Sequence, residues 1–371
     1  MNTLFFSVWL PITLGTGYFV FALFKYSYFN TFVRKSKATS HSAQRDIPGI
    51  SVIIACKNEA KNIPALIEAI ASVNYLEEQC EFILVDDHST DGTAEVFYRC
   101  ANIPGNVRML SSGKKLYPAK KGALQAGISA AKFDYLLITD ADCRPGEQWL
   151  KNAASAFACG DDFVIGLAPY RNEAGFTRGF FCYEQFAASL LYISAAQAGI
   201  PYSAAARNFG FRRDAFNKIG GYGATLQTIG GDDDLLLQNA RRMHMRIGMI
   251  PCGANSLPVS FSPTSITEYF RQKGRHTQTS NYYSAKSLLF LLLNHAVQFF
   301  ALFGILLTPW SAAFIPVLLV KVGGDILLSL QFSPEFGYHW TIWRTIFYVF
   351  MYELVLPIHY IYSLFRKDSW R

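Results

Sequence analysis

Four acidic clusters follow one another along the chain: Glu59, Asp86-Asp87, Asp140-Ala141-Asp142 and Gly231-Asp232-Asp233-Asp234. Carboxylates are the hard oxygen ligands that a divalent cation takes, and a cation held by Asp142 would neutralise a diphosphate lying between the second and third clusters. An ionised carboxylate has acceptors only, so Asp86 or Asp87 could take a hydrogen bond from a pyrimidine N–H. Asp232 is expected at a helix N-terminus, where the dipole favours its anion and keeps it ready to accept a proton. Each cluster also has a plainer reading. Asp-Asp-x-Ser-Thr-Asp-Gly makes a good turn, with Ser89, Thr90 or Asp91 as a cap. An acidic pair with one spacer is commonly a solvated loop, and capping or base could fall to Asp233 or Asp234 instead of Asp232.

Position separates these readings, because the first three clusters end apolar runs. Ser51-Val52-Ile53-Ile54-Ala55 leads into Cys56-Lys57-Asn58-Glu59, Phe82-Ile83-Leu84-Val85 into Asp86, and Tyr135-Leu136-Leu137-Ile138-Thr139 into Asp140. Strands over 51–55, 82–86, about 107–110 and 135–139 alternate with helices over 60–73, 92–100 and 119–131. That alternation predicts a mostly parallel α/β sheet. Ligands of such a sheet bind outside the carboxyl ends of its strands, so the three clusters would share one edge. Further on, residues 175–198 read as an amphipathic helix, 220–223 as a loop, Asp232–His244 as a helix and Ile247–Ile250 as a buried strand. No GxGxxG follows the first strand, which removes the dinucleotide-linked dehydrogenases.

The chain is 51% hydrophobic with 31 Phe and 20 Tyr, and the excess lies at its two ends. Residues 4–24 carry no charge, are long enough to cross a bilayer, and have neither the basic start nor the small-residue cleavage site of a signal peptide. Residues 288–308, 311–331 and 342–365 are further candidate spans. The second of these holds Lys321 and Asp325 at the i,i+4 spacing of a helical ion pair, which inside a membrane should face protein or a polar path. The expected organisation is an anchor over 1–25, a linker over 26–47, a catalytic domain over 48–263, an amphipathic interfacial segment over 264–287, and a membrane region over 288–371 with two or three spans. Lys25, Arg34, Lys35, Lys37 and Arg45 after the anchor place the central region in the cytoplasm, while Arg366, Lys367 and Arg371 argue against a C-terminus outside. The formal charge of +7 gathers beside the membrane segments, which suits anionic headgroups and not nucleic acid. Seven cysteines without a CxxC spacing suggest neither a disulfide framework nor a zinc site.

Taken together these features resemble the family 2 glycosyltransferases, membrane-bound enzymes with a Rossmann-like GT-A domain, over residues 48 to about 283. Ala55-Cys56-Lys57-Asn58-Glu59 resembles the family's first nucleotide-contact segment, and Val85-Asp86-Asp87-His88-Ser89-Thr90-Asp91-Gly92-Thr93 its uracil-binding turn. Lys120-Lys121-Gly122-Ala123-Leu124 is similar to the lysine segment beneath the diphosphate, and Asp140-Ala141-Asp142 to the metal-binding DxD. Asn208–Arg213 followed by Gly220-Gly221-Tyr222 resembles the stretch leading to the acceptor. Two departures stand out. Gly231-Asp232 replaces the usual Glu-Asp, and Gln272-Lys273-Gly274-Arg275-His276 replaces QxxRW, with His276 in place of the tryptophan platform.

The resemblance implies an inverting, metal-dependent hexosyltransferase of the cell membrane, its catalytic domain facing the cytoplasm. It would move a sugar from a UDP-sugar to a membrane-associated lipid or growing glycan. The implied roles are Asp232, Arg275 and Gln272 in catalysis, Lys57, Glu59, Asp86, Asp87, Lys120 and Asp140 at the donor, Asp142 on Mg²⁺ or Mn²⁺, and Asp233 and His276 at the acceptor. The competing readings are a catalytically silent nucleotide-sugar-binding scaffold or regulator, and a processive polysaccharide synthase.

Overall fold

A computed structural model describes residues 5–39, 48–253 and 255–365. Arg45, most of the expected linker's second half, and Arg366, Lys367 and Arg371 lie outside the described residues. The described residues divide into two compact units, one formed by residues within Thr31–Arg171 and Pro201–Ser262, the other by residues 5–30, Asn172–Ile200 and residues 263–365.

The first unit is built on a seven-stranded sheet. Its strands are β1 (Ile50–Cys56), β2 (Cys80–Asp86), β3 (Val107–Ser111), β4 (Tyr135–Asp140), β5 (Phe163–Ile165), β6 (Phe209–Arg212) and β7 (Ile247–Met249). They lie in the order β3-β2-β1-β4-β6-β5-β7. The half made of β3, β2, β1 and β4 is parallel, as the strand and helix alternation predicts. Every residue of β1 is buried, which a central parallel strand covered by helices on both faces requires. The helix Ala119–Ala130 comes close enough that a Cβ on Gly127 would stand 2.4 Å from Ile53 Cγ2, so this packing needs glycine there. On the other face Trp149, Phe157, Leu66 and Ile70 fill the core against Val52, Ile54 and Phe82.

β6 runs antiparallel to both β4 and β5. The sequence pattern does not reveal β5 and β6, whose three and four residues are too short for a periodic signal. β7 is not the buried strand expected. It pairs only with β5 at the sheet edge and all three of its residues are half-buried. The 220–223 loop is a 3₁₀ turn over Gly221–Thr225.

The second unit gathers helices long and apolar enough to cross a membrane. Four such stretches occur among the described residues: Ser7–Thr39, Ala285–Leu307, Phe314–Phe336 and Ile342–Phe365. The first continues well past residue 25, through residues read as linker. The expected i,i+4 pair forms, Lys321 Nζ donating to Asp325 Oδ2 at 2.5 Å, but it is part of a larger cluster. Lys321 also donates to Glu353 Oε1 at 3.0 Å, and Tyr18 Oη donates to Asp325 Oδ1 at 3.0 Å. One ammonium thus bridges two carboxylates, and a phenol gives Asp325 a second donor, where water is scarce.

The helix Ile266–Ser280 is capped by Ser265, whose Oγ accepts from Glu268 N at 3.1 Å, while Glu268 Oε2 accepts from Thr264 N at 2.8 Å. Tyr269 and Phe270 pack their rings on His359 of the last helix, both at 5.0 Å. Lys273 is not on the polar face expected of an amphipathic interfacial segment. It is buried in an ion pair with Glu184 from the helix Phe176–Gln197. That helix is buried along most of its length and not amphipathic as its sequence suggests.

Candidate active site

The strand register sets the site. Cys56 of β1 stands beside Asp86 of β2, and Ala55 beside Asp140 of β4, so both acids end their strands at the same level with β1 between them. The chain moves outward from β1 to β2 and β3, then returns to place β4 on the other side. The carboxyl ends of β1 and β4 therefore flank a topological switch point, the usual position of a ligand crevice.

The loops after β1 and β2 are tied together. Asn58, in a left-handed conformation with φ 57°, donates its N–H to Ser89 Oγ at 2.9 Å and accepts from Thr90 N at 2.9 Å. Glu59 N donates to Thr93 Oγ1 at 2.9 Å, and Ala60 N to Asp91 Oδ2 at 3.0 Å. Asp91 Oδ1 accepts from Thr93 N at 3.1 Å, the first N–H of the helix Thr93–Arg99, while the N-cap position itself is Gly92. Glu59 is buried and accepts from Asn62 Nδ2 at 2.6 Å.

The two acids of the second cluster differ. Asp87 is fully buried and accepts from Ser112 Oγ at 3.0 Å, with Lys115 Nζ 2.8 Å away and Lys57 Nζ at 3.9 Å. Asp86 Oδ1 is buried with no hydrogen-bond partner among the described residues. Leaving an acceptor unpaired is expensive, so Asp86 is the member of the pair open to a donor from a ligand. Lys115 was not singled out in the sequence, although two lysines directly after a strand end were a readable signal.

Lys120 joins the third and fourth clusters. Its Nζ lies 2.8 Å from Asp140 Oδ1 and 2.9 Å from Asp232 Oδ2. Burial works against the Lys120 charge, but Asp140 and Asp232 outweigh it and hold its pKa well above that of an ordinary lysine. The neighbouring Lys121 has another task. Buried, it donates to Thr225 O and, at 2.9 Å, to Thr228 O, which fastens the loop leading into Asp232. Gly122 lets the segment before this helix fold back on it, since a Cβ there would meet Tyr117 O at 2.1 Å.

The fourth cluster is resolved residue by residue. The helix runs over Asp234–Arg242, and Asp233 is its N-cap, accepting from Asp234 N at 2.7 Å and from Ala206 N at 2.7 Å. Asp234 accepts from Ser203 Oγ at 2.7 Å and Ala204 N at 3.0 Å. Burial, with Asp234 and Asp232 adding to it, pushes the Asp233 pKa well up. Asp232 therefore precedes the helix it was expected to begin, and of the three it is the one paired with Lys120. Gly231 has φ 76°, a left-handed backbone that costs a side-chain-bearing residue roughly 1–2 kcal/mol. Glycine in place of the usual glutamate thus fits the backbone at this position. Gly231→Ala is expected to lower the unfolding temperature and, by moving the adjacent Asp232, the turnover. A thermal melt and a rate measurement indistinguishable from the parent would refute this account.

Asp142 is half-buried after β4. The pKa of Arg207 is raised; burial opposes its charge, and Tyr170, Cys143, Asp142 and Asp140 favour it. Its guanidinium lies 4.7 Å from the centre of the Tyr170 ring. Sequence reasoning began its motif one residue later, at Asn208, and missed Arg207. Among the described residues no three His, Cys, Asp or Glu side chains form a ready-made metal cage. The donor set instead suits a Mg²⁺-type ion, which is held by one or two carboxylates and completes its shell with phosphate oxygens and water. Gln272 and Arg275, half-buried, and His276, exposed, lie on the helix Ile266–Ser280 of the other unit. None of the seven cysteines forms a disulfide.

Residues 51–220 match the model of Glycosyl transferase family 2. Glycosyltransferase AglE of Haloferax volcanii is 31% identical over 132 residues, which is 35% of this chain and 43% of that protein. Undecaprenyl-phosphate 4-deoxy-4-formamido-L-arabinose transferase of Aeromonas hydrophila is 29% identical over 134 residues, 36% of this chain and 41% of that protein. Poly-beta-1,6-N-acetyl-D-glucosamine synthase of Staphylococcus epidermidis is 31% identical over 101 residues, 27% of this chain and 23% of that protein. Each match thus spans less than half of the relative's length. Among solved structures, the mannosyltransferase PcManGT from Pyrobaculum calidifontis, in complex with GDP-Man and Mn²⁺, has the same fold. It aligns with TM-score 0.50 over 93% of this chain and 99% of its own at 17% identity.

Proposed function

From the premise that this chain carries a family 2 glycosyltransferase domain over residues 51–220, we propose that it transfers a sugar, with inversion, from a UDP-sugar to a membrane-associated lipid or glycan. The observation that carries this reading is Lys120, which joins a carboxylate of the DxD to Asp232 within 2.9 Å. One ammonium thereby couples the diphosphate end of the site to the group that would take the acceptor's proton.

Asp86 accepts the uracil N–H and Lys57 supports the same edge; Asp87 and Glu59 build the rim through their internal bonds. Asp232 accepts the proton of the acceptor hydroxyl as that oxygen bonds to the anomeric carbon and the bond to the UDP oxygen breaks. Lys120 stabilises the charge gathering on the departing diphosphate. Gln272 and Arg275 serve the same leaving group, as their match to QxxRW implies. Mg²⁺ or Mn²⁺, held by Asp142 with Asp140 nearby, would supply further neutralisation of the diphosphate. The catalytic domain faces the cytoplasm, in keeping with Arg34, Lys35 and Lys37 at the C-terminal end of the first long helix.

Donor binding is expected to require the ion. Asp142→Ala should lose UDP affinity in Mg²⁺ or Mn²⁺, as measured by calorimetry; equal affinity of the parent protein with and without metal would contradict the assignment. Release of UDP from a UDP-sugar by the purified protein separates this reading from a silent nucleotide-sugar-binding scaffold. The product should carry one or a few added sugars, because exposed His276 stands where a tryptophan would let a growing chain stack. A ladder reaching high mass early, with acceptor still unused, would mark a processive synthase instead.

A further inference from the structure

Three stretches of the first unit meet at Phe261. Arg144 and Val259 exchange backbone hydrogen bonds, Arg144 N to Val259 O at 2.7 Å and Val259 N to Arg144 O at 3.0 Å, and Arg171 N donates to Ser260 O at 2.7 Å. This pairing brings two guanidiniums to one aromatic ring: Cζ of Arg144 lies 5.7 Å and Cζ of Arg171 5.9 Å from the centre of Phe261. The ring is nonetheless 38% exposed, and Arg171 is exposed beside it. Among the described residues Arg144 makes no ion pair. Its Nη1 donates to Cys143 O at 2.9 Å and to Ala141 O at 3.5 Å, while its Nε and Nη2 make no hydrogen bond. A third arginine nearby, Arg207, is used otherwise, bonded to Ser260 Oγ and packed on Tyr170.

A cation within about 6 Å of a ring centre is attracted to its face, which holds each planar fork in place before a ligand arrives. A guanidinium fork matches the oxygens of a carboxylate or a phosphate, and two forks converging on one ligand favour phosphate, which has oxygens for both. The exposed ring between them suits an apolar chain. A lipid phosphate combines the two features, and a protein with four helices long and apolar enough to cross a membrane is placed to meet one. Arg144 stands two residues after Asp142, so this phosphate would lie beside the DxD. We propose that Arg144, Arg171 and Phe261 form a binding site for a phosphate-bearing membrane lipid, its phosphate held by the two guanidiniums and its chain against the ring. The consequence for the reaction rests on the transferase reading: the acceptor is a lipid that carries a phosphate, and the hydroxyl that Asp232 would deprotonate lies elsewhere on the same molecule.

The test is a binding measurement without a UDP-sugar, so its outcome is independent of whether the protein releases UDP. Native mass spectrometry of the full chain in lauryldimethylamine oxide would follow retention of phosphatidic acid and of diacylglycerol with the same chains, with glycerol 3-phosphate as the headgroup without chains. Phosphatidic acid should be retained roughly tenfold better than diacylglycerol, the scale of one charge-assisted hydrogen-bonding partner. Arg144→Gln and Arg171→Gln should each remove most of that preference, whereas Lys218→Gln, which deletes an exposed cation elsewhere on the same unit, should keep it. UDP affinity of Arg171→Gln should match the parent. Equal retention of the two lipids, a preference unchanged in both folded arginine variants, or a preference lost equally in Lys218→Gln would overturn the proposal. Glycerol 3-phosphate binding as tightly as phosphatidic acid would overturn the lipid as source, and a tenfold fall in UDP affinity of Arg171→Gln would give the arginine to the donor instead. If Arg144→Gln does not fold, exposed Arg171 decides.

Discussion

Replacing Asp232 by asparagine is expected to lower turnover by ~10²–10⁴-fold, the usual contribution of a positioned general base. Asparagine keeps the size of the side chain, and Lys120 keeps Asp140 as its ion partner at 2.8 Å, so UDP affinity and the unfolding temperature should stay near those of the parent. The neighbouring acids provide the contrast. Asp233 accepts two backbone N–H groups at 2.7 Å, and Asp234 is bonded to Ser203 and Ala204. Asp233→Asn and Asp234→Asn should therefore act first on stability. Rates of UDP release, UDP calorimetry and thermal melts on the three variants decide the matter. Asp232→Asn with near-parental turnover, alongside a folded but inactive Asp233→Asn, would move the base to Asp233.

The second large effect is expected far along the sequence, at Lys321. Lys321→Met would leave Asp325 and Glu353, 7% and 1% exposed, facing each other without their shared cation. Removing one partner of a buried ion pair typically costs ~3–5 kcal/mol, because the remaining charge is buried and uncompensated. The variant should melt well below the parent in detergent or fail to accumulate. Replacing all three residues together by apolar ones of similar size should recover much of the loss, since that removes the stranded charges as well. A single variant as stable as the parent would mean that the cluster is already compensated from elsewhere.

The parallel half of the sheet was legible because β1, β2 and β4 are long apolar runs, each closed by a turn cue or an acid, and its crossover helices fit between them. The placement of Asp86 and Asp140 at strand ends was legible for the same reason. What escaped had no local signal. β5 and β6 are too short to show alternation, and their antiparallel pairing is a choice made by the sheet. Glu353 joins Lys321 from another helix, and no spacing along the chain announces that. The helix Phe176–Gln197 has an amphipathic-looking sequence, yet most of its residues are buried, with Glu184 neutralised by Lys273. At Asp232 the pattern was right and its boundary wrong: three successive aspartates compete for one cap, and backbone geometry gives it to Asp233.

The cross-bonding of the loops after β1 and β2 makes residues 57–60 and 88–93 a single structural part. Asn58 reads Ser89 and Thr90 while Asp91 reads Ala60, so a segment carried over from a relative on one side would arrive without its complement on the other. Chimeras that exchange these segments with a relative should accordingly move both loops at once, and exchanging one alone should lower stability.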